Sequence, residues 1–313
     1  MAYRFSAEST VEANVRQILS EQIDKAARQL GRDFQRTPGK AVHSARKHLK
    51  KGRSLLRLVR QSVDEEVYKQ EKDALRDTGR SLSAARDSEV FQQTLSGLLS
   101  TYDLTLEVKG IFRLQESLAD LHKVRLKSLV DRDAPMATII SDLEDSQARL
   151  SQLTLKKAGW KALSKSLKQI YSQGQARYRL ACKDDSAEAF HEWRKRAKDL
   201  WHTTYLLQPL WPPVMGAFES EVYQLTQTLG AGQDIAALQD FLLNSADKDV
   251  TVEGAHIQML LPLMEHRQNR LHRDANELGQ RIYCEDPSAF IHRIAGYWQS
   301  WFAPKASGQT PNA

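Results

Sequence analysis

Cysteine, glycine, proline and long apolar runs are all scarce in this 313-residue chain. Only two cysteines occur, Cys182 and Cys284, far apart and without paired spacing. They form no disulfide framework and no zinc motif, and they read as free thiols in a reducing compartment. Fifteen glycines and nine prolines interrupt little of the sequence. No run approaches the roughly 18 apolar residues of a membrane span, and MAYRFSAEST at the N-terminus lacks the apolar core of a signal peptide. A cytoplasmic protein with no membrane partner is expected. Catalytic signatures are missing too. There is no GxxxxGK[ST] phosphate loop. His191-Glu192 lacks the second histidine of a zinc protease helix, since Lys195 stands in its place. The segment MEHRQNRLH, with His266 and His272, has no recognisable ligand spacing. No catalytic residue, no metal and no cofactor is expected.

The most local absence is the most informative. Gln35 to Val63 holds no Asp or Glu, although the chain carries 39 in all, so about three or four were due. It holds Arg36, Lys40, Arg46, Lys47, Lys50, Lys51, Arg53, Arg57 and Arg60 instead. On a helix at about 100° per residue, His43, Arg46, Lys47, Lys50, Arg53 and Arg57 fall within about 120° of one another. Ala41, Ala45, Leu49, Leu55, Leu56 and Val59 fall opposite. Like charges at i and i+4 destabilise a helix by a few tenths of a kcal/mol per pair. Ordinary surface helices relieve this with interleaved carboxylates. A face without them suits a polyanion, and the net charge of +6 points the same way.

The pattern returns. His191, Arg194, Lys195 and Lys198 repeat His43, Arg46, Lys47 and Lys50 at a constant offset of 148 residues. That face continues with Trp201, His202 and Tyr205, while Ala189, Trp193, Leu200, Thr204 and Leu207 face away. A second match follows: Arg80 to Asp87 aligns with Gln227 to Asp234 at an offset of 147. Two matches in one order predict an internal duplication.

Helix signals follow one another with no persuasive strand. Ser9 or Thr10 caps a helix that ends at Gly31, and Pro38 opens the basic helix. Further helices are expected over 64–83, 91–100, 111–130, 136–152, 161–180, 187–207, 214–229, 234–244, 253–283 and 287–302. The chain is expected to be one domain over 1–313. Its halves span about 9–152 and 159–302, and 303–313 is a disordered tail.

HSARKHLKKGRSLLRLV and FHEWRKRAKDLWHTTYLL resemble the two signature helices of the CHAD family, an all-helical domain named for its histidines. LSAARDSEV, IYSQGQARYRLA and RIYCEDPSAFIHRIAGYWQSW are similar to its accompanying segments, so the likeness runs from about Ser9 to Phe302. The resemblance implies an all-α bundle of two similar, pseudo-symmetric four-helix halves. It implies a basic surface between them that binds inorganic polyphosphate, and an association with polyphosphate granules. Some members carry a CYTH-type triphosphate tunnel domain, marked by a Glu-x-Glu-x-Lys strand. That motif is missing here, and a stand-alone member is expected. The pattern is departed from where Gln233 replaces Arg86, Trp201 replaces Arg53 and Tyr205 replaces Arg57, so the second face is less charged.

Elementary chemistry agrees. Polyphosphate offers charge along a line and no base edges. Lysine meets it as a mobile point charge and arginine as a planar fork. His43 to Arg57 spans about 21 Å of helix, a track rather than a point site. His43 and His191 donate most strongly when protonated. Arg80, Arg86, Arg177 and Arg179 are candidates to extend the surface. Asp87 and Asp234 read as caps or as ion-pair partners of arginine, with metal ligation the alternative. Two other functions stay open. One is sequence-independent nucleic-acid binding, although no aromatic interleaves the first basic face. The other is a metal-dependent polyphosphate or triphosphate hydrolase, which needs clustered carboxylates. A scaffold joining granules to other proteins is a weaker reading.

Overall fold

A computed structural model describes residues 3–102, 109–130, 133–244 and 254–302. The expected disordered tail lies outside the described residues. Among those described there is no strand, and eleven α-helices follow one another. They are α1 (Val11–Arg28), α2 (Pro38–Val59), α3 (Glu65–Ser81), α4 (Ser83–Thr101), α5 (Lys109–Val130), α6 (Asp133–Ser151), α7 (Trp160–Asp184), α8 (Ala187–Leu206), α9 (Pro212–Asn244), α10 (Gly254–Ile282) and α11 (Pro287–Phe302). This exceeds four helices per half. None is long and apolar enough to cross a membrane.

Local chemistry sets the starts. The Thr10 hydroxyl accepts from the Ala13 amide at 3.1 Å, Asp64 from Glu66 at 3.0 Å and Ser186 from Ala189 at 3.2 Å. Pro38 sits in the first turn of α2, where a missing N–H costs nothing. Several sequence boundaries move, and the helix expected over 91–100 starts at Ser83. The end expected at Gly31 is a π-helical turn over Gln29–Asp33. The helices expected over 214–229 and 234–244 are one, α9. The glycines between them do not break it, because both face packed neighbours. A Cβ on Gly232 would meet His272 at 3.9 Å, and one on Gly230 would meet Arg194 at 3.9 Å. Tertiary packing overrides propensity there. The aligned segment of the first half does break, at buried Leu82 between α3 and α4.

Two apolar cores result, and each joins helices from early and late in the sequence. The larger holds Leu19, Leu55, Leu56 and Leu75 together with Trp193, Leu200 and Phe290. The smaller is built from α4, α5, α9 and α10, with Leu95, Leu114, Leu238 and Met264. Phe91 stacks on Phe241 there, 4.7 Å between centroids, joining α4 to α9. α2 packs against α7 and α8, and α4 against α9. Where α7, α8 and α10 close, glycine is required. A Cβ on Gly279 would lie 2.6 Å from both Trp193 and Tyr178, and one on Gly174 2.6 Å from the Tyr283 hydroxyl.

Candidate functional site

The periodicity of α2 places its two faces. Ala41, Ala45, Leu49, Leu55, Leu56 and Val59 are all buried. The opposite face carries two rows of cations at helical spacing. One row is Arg46, Lys50, Arg53 and Arg57. The other is His43, Lys47 and Lys51. In α8, Ala189, Trp193, Leu200 and Thr204 are buried in the same way, as is Leu207 just beyond it.

Lys50 and Lys198 are the meeting point of these faces. Lys50 feels Arg46 and Arg53 of its own helix, Arg194 of α8 and Arg86 of α4. By surface area Lys50 is exposed. Enough protein nevertheless surrounds its ammonium to strip water, and with the neighbouring cations this brings its pKa down to about 8. Lys198 is pushed further, to about 6, first by burial and then by Arg194, Lys50 and Arg86, with Asp234 of α9 opposing. Neither lysine makes an ion pair with a described carboxylate. Four cations from α2, α4 and α8 therefore crowd one place, with Asp87, Asp234 and Glu89 at its edge and neither lysine ion-paired.

Equivalent residues surround this point in equivalent pairs. Arg46 and Arg194 are both pushed down by burial, the first opposed by Asp87 and the second by Asp234. The Nε atoms of Arg46, Arg53 and Arg194 are buried without a hydrogen-bond partner. Arg46 also donates to the Gly79 carbonyl. His43 is pushed down by burial and then by Arg86, with Glu89 opposing. His191 Nδ1 lies 2.6 Å from Gln233 Oε1, so Nδ1 carries the proton and donates. Gln233 is the residue aligned with Arg86. Asp87 and Asp234 sit inside α4 and α9 and cap neither helix. Loss of water raises Asp87 against the pull of Arg46, Arg125, Lys50 and Arg86. Among the described residues no group of three or more His, Cys, Asp or Glu could hold a metal ion.

Other sequence candidates are tied down or stand apart. Arg57 is paired with Asp199 of α8 at 3.2 Å, and Arg196 reaches the same carboxylate at 3.1 Å. Burial pushes Asp199 up to about 6 despite Arg57 and Arg53. Sequence reasoning passed over Asp199, whose only signal is an acid directly after Lys198. Arg86 is paired with Glu89 at 2.7 Å and Lys195 with Glu192. Arg80 is exposed and reaches Asp77 at 3.6 Å. Arg177 and Arg179 lie on the exposed side of α7, and the charge that Arg177 meets is Glu192. None of these last three is among the charges felt by Lys50 or Lys198.

The second face also ends earlier than its periodicity suggests. His202 is 6% exposed, and burial together with Lys51, Lys198, Lys50 and Lys47 pushes it down to about 3. Trp201 donates its indole N–H to Glu219. Beyond Lys198 the helix enters the core. A groove of about 280 Å³ lies between α4, α9 and α10, lined by Thr94, Gly97, Asp234 and Arg267 among others. It holds none of the clustered lysines.

Residues 17–243 match the family model of the CHAD domain. Among solved structures, PptA from Streptomyces chartreusis is 14% identical with a TM-score of 0.61, over 88% of this chain and 100% of that one. The CHAD domain from the plant Ricinus communis is 15% identical with a TM-score of 0.60, over 93% and 94%. At such identities the likeness is one of fold. No curated protein matches the chain. A family model that spans most of the sequence, and takes in both basic helices, decides the matter: the chain belongs to the CHAD domain family.

Proposed function

We propose that the chain binds inorganic polyphosphate, without catalysing its cleavage, at the cation cluster between α2, α4 and α8. The observation that carries this reading is the convergence of Lys50, Lys198, Arg86 and Arg194 with both lysines unpaired. Burying like charges side by side is unfavourable unless an anion relieves it. The ligand best suited has dense charge and no features that need a shaped pocket. His43, Arg46, Lys47 and Arg53 flank the cluster on one helix and His191 on the other. Arg57 and Lys195 stand at its margin, each already paired with a carboxylate, while Arg80, Arg177 and Arg179 stand apart from it. One domain made of two repeated halves, about 9–152 and 159–302, supports this arrangement, since aligned residues meet in the same pairs. A cytoplasmic protein gathered on polyphosphate granules is the cellular form of this reading.

Nucleic acid is the second reading, because a phosphodiester backbone meets the same cations. Its lower charge density and the lack of an aromatic ladder on α2 argue against it. Hydrolysis is disfavoured because Asp87 and Asp234 each face an arginine. The test is competition of long polyphosphate against single- and double-stranded nucleic acid at about 0.15 M salt, where screening acts over about 8 Å. Polyphosphate should displace both nucleic acids, and a folded Lys50→Glu/Arg53→Glu variant should lose binding. Phosphate release with Mg²⁺ or Mn²⁺ would reverse the non-enzymatic reading.

A further inference from the structure

The two cation rows of α2 end differently. The Arg46–Lys50–Arg53–Arg57 row runs into Asp199, which offsets the charge of Arg57. In the His43–Lys47–Lys51 row Glu89 acts on His43, but Lys47 and Lys51 make no ion pair with a described carboxylate. The Lys51 end of this row lies beside Tyr3 of residues 3–10, a strap that leads into α1. The strap is firmly held. Tyr3 and Phe5 are 4% and 3% exposed. The Tyr3 hydroxyl donates to the Lys51 carbonyl at 2.8 Å, and the Phe5 amide to the Leu206 carbonyl at 3.1 Å. The Asn14 side chain donates to the Ser6 carbonyl at 2.9 Å and accepts from the Ser6 amide at 2.8 Å.

The strap brings one more cation. Arg4 is exposed, and its guanidinium lies 5.0 Å from the ring centre of Tyr205. Lys51 lies 5.7 Å from the same ring and 4.9 Å from that of Tyr3. Arg4, Lys47 and Lys51 make no ion pair with a described carboxylate. Lys25 of α1 stands near Lys51 but is paired with Glu21 at 3.4 Å. Tyr205 occupies the α8 position where α2 has Arg57. The cation missing from α8 is thus replaced at this spot by two from other elements, held on an aromatic face. Lys51 belongs to the same surroundings as the central cluster, since buried His202 feels Lys47, Lys50, Lys51 and Lys198 together.

We propose that a bound polyphosphate leaves the central cluster along Lys47, Lys51 and Arg4, so that the N-terminal strap forms a second phosphate subsite. This rests on the polyphosphate reading and adds a direction and new residues to it. An anion running the other way would meet Asp199. One running over the strap passes Lys47, Lys51 and Arg4, beside the buried anchors Tyr3 and Phe5, and ends before the exposed Glu8.

The experiment titrates the full chain and an Arg4→Ala/Lys51→Ala variant with triphosphate and with long polyphosphate at several salt concentrations. The Lys51 carbonyl that holds Tyr3 is retained in the variant. Triphosphate fills the central cluster and should bind both proteins alike. Long chains should bind the variant about tenfold more weakly, with a salt slope shallower by about one, as expected when two contacts of a single strand are lost. Equal long-chain affinity and slope in both proteins would overturn the subsite. Should Lys51→Ala melt early, Arg4→Ala alone decides: its side chain is exposed, and a loss of about threefold supports the subsite while no loss removes it. Failure of the unaltered chain to bind polyphosphate of any length would instead overturn the underlying reading.

Discussion

At the scale of the residue, Lys198 carries the tension of the site. Burial and three cations push it to about 6, so it is largely neutral at neutral pH in the free protein. A bound polyanion favours the charged form, so binding draws a proton onto it. The sign follows. Below about pH 6 Lys198 is already charged and no proton is needed. As pH rises above 6, affinity falls until the raised pKa of the complex is passed. Lys50 adds a similar loss beginning near 8. Affinity should therefore drop by about tenfold between pH 6 and 8, one proton being worth at most tenfold per unit. Titrations at both pH values test this, and Lys198→Arg should flatten the profile because arginine stays charged. His43→Gln/His191→Gln should leave the loss above pH 6.5 in place, since burial pushes His43 down rather than up. A profile abolished in that variant would reassign the effect to the histidines. Stability moves the other way. Burying this lysine costs stability in full below about pH 6, where its ammonium stays charged, and the cost fades as pH rises toward the ordinary lysine value. Lys198→Met should raise the melting temperature at pH 7 by about 2 °C or more while weakening binding.

At the scale of the element, the α2–α8 crossing is clamped by Asp199. Its carboxylate is 19% exposed and serves both Arg57 and Arg196. Removing one partner of such a pair leaves a poorly solvated charge behind. Asp199→Asn should cost about 3 kcal/mol in urea unfolding, near the lower end for a broken buried pair. A loss under about 1 kcal/mol would mean solvent already screens the pair. The helices themselves were largely legible from sequence. The apolar stripe and Pro38 fixed the faces and start of α2, and the repeat marked α8. What stayed hidden was non-local. His202 lies on the polar side of the wheel, yet it is buried beside Tyr3, which packs in turn on Tyr205. Gly230 and Gly232 read as a helix end, yet α9 continues because Arg194 and His272 pack against them. No spacing within one segment reveals a neighbour supplied by another.

At the scale of the whole molecule, two apolar cores each join helices from early and late in the sequence, and the cation cluster sits where α2, α4 and α8 meet. The closeness of α7, α8 and α10 keeps Trp193 beneath that cluster. Gly279→Ala would drive a methyl into Trp193 and Tyr178 and should destabilise by about 1–3 kcal/mol, read by thermal melting. Polyphosphate affinity extrapolated to the fully folded protein should change less. On sequence alone, α2 and α8 are two tracks that only a long chain bridges, so the second helix should matter for long chains. The structure puts Lys198 within the electrostatic reach of Lys50, so on the polyphosphate reading even a short chain touches both. The most direct measurement is the affinity of a short polyphosphate of about eight to ten phosphates for the unaltered chain, for Lys50→Glu and for Lys198→Glu, at fixed pH and salt, with folding checked by circular dichroism. Both variants should lose at least about tenfold, the scale of one charge-assisted contact reversed. A folded Lys198→Glu protein that binds the short chain as tightly as the unaltered one would contradict a single site shared by the two helices.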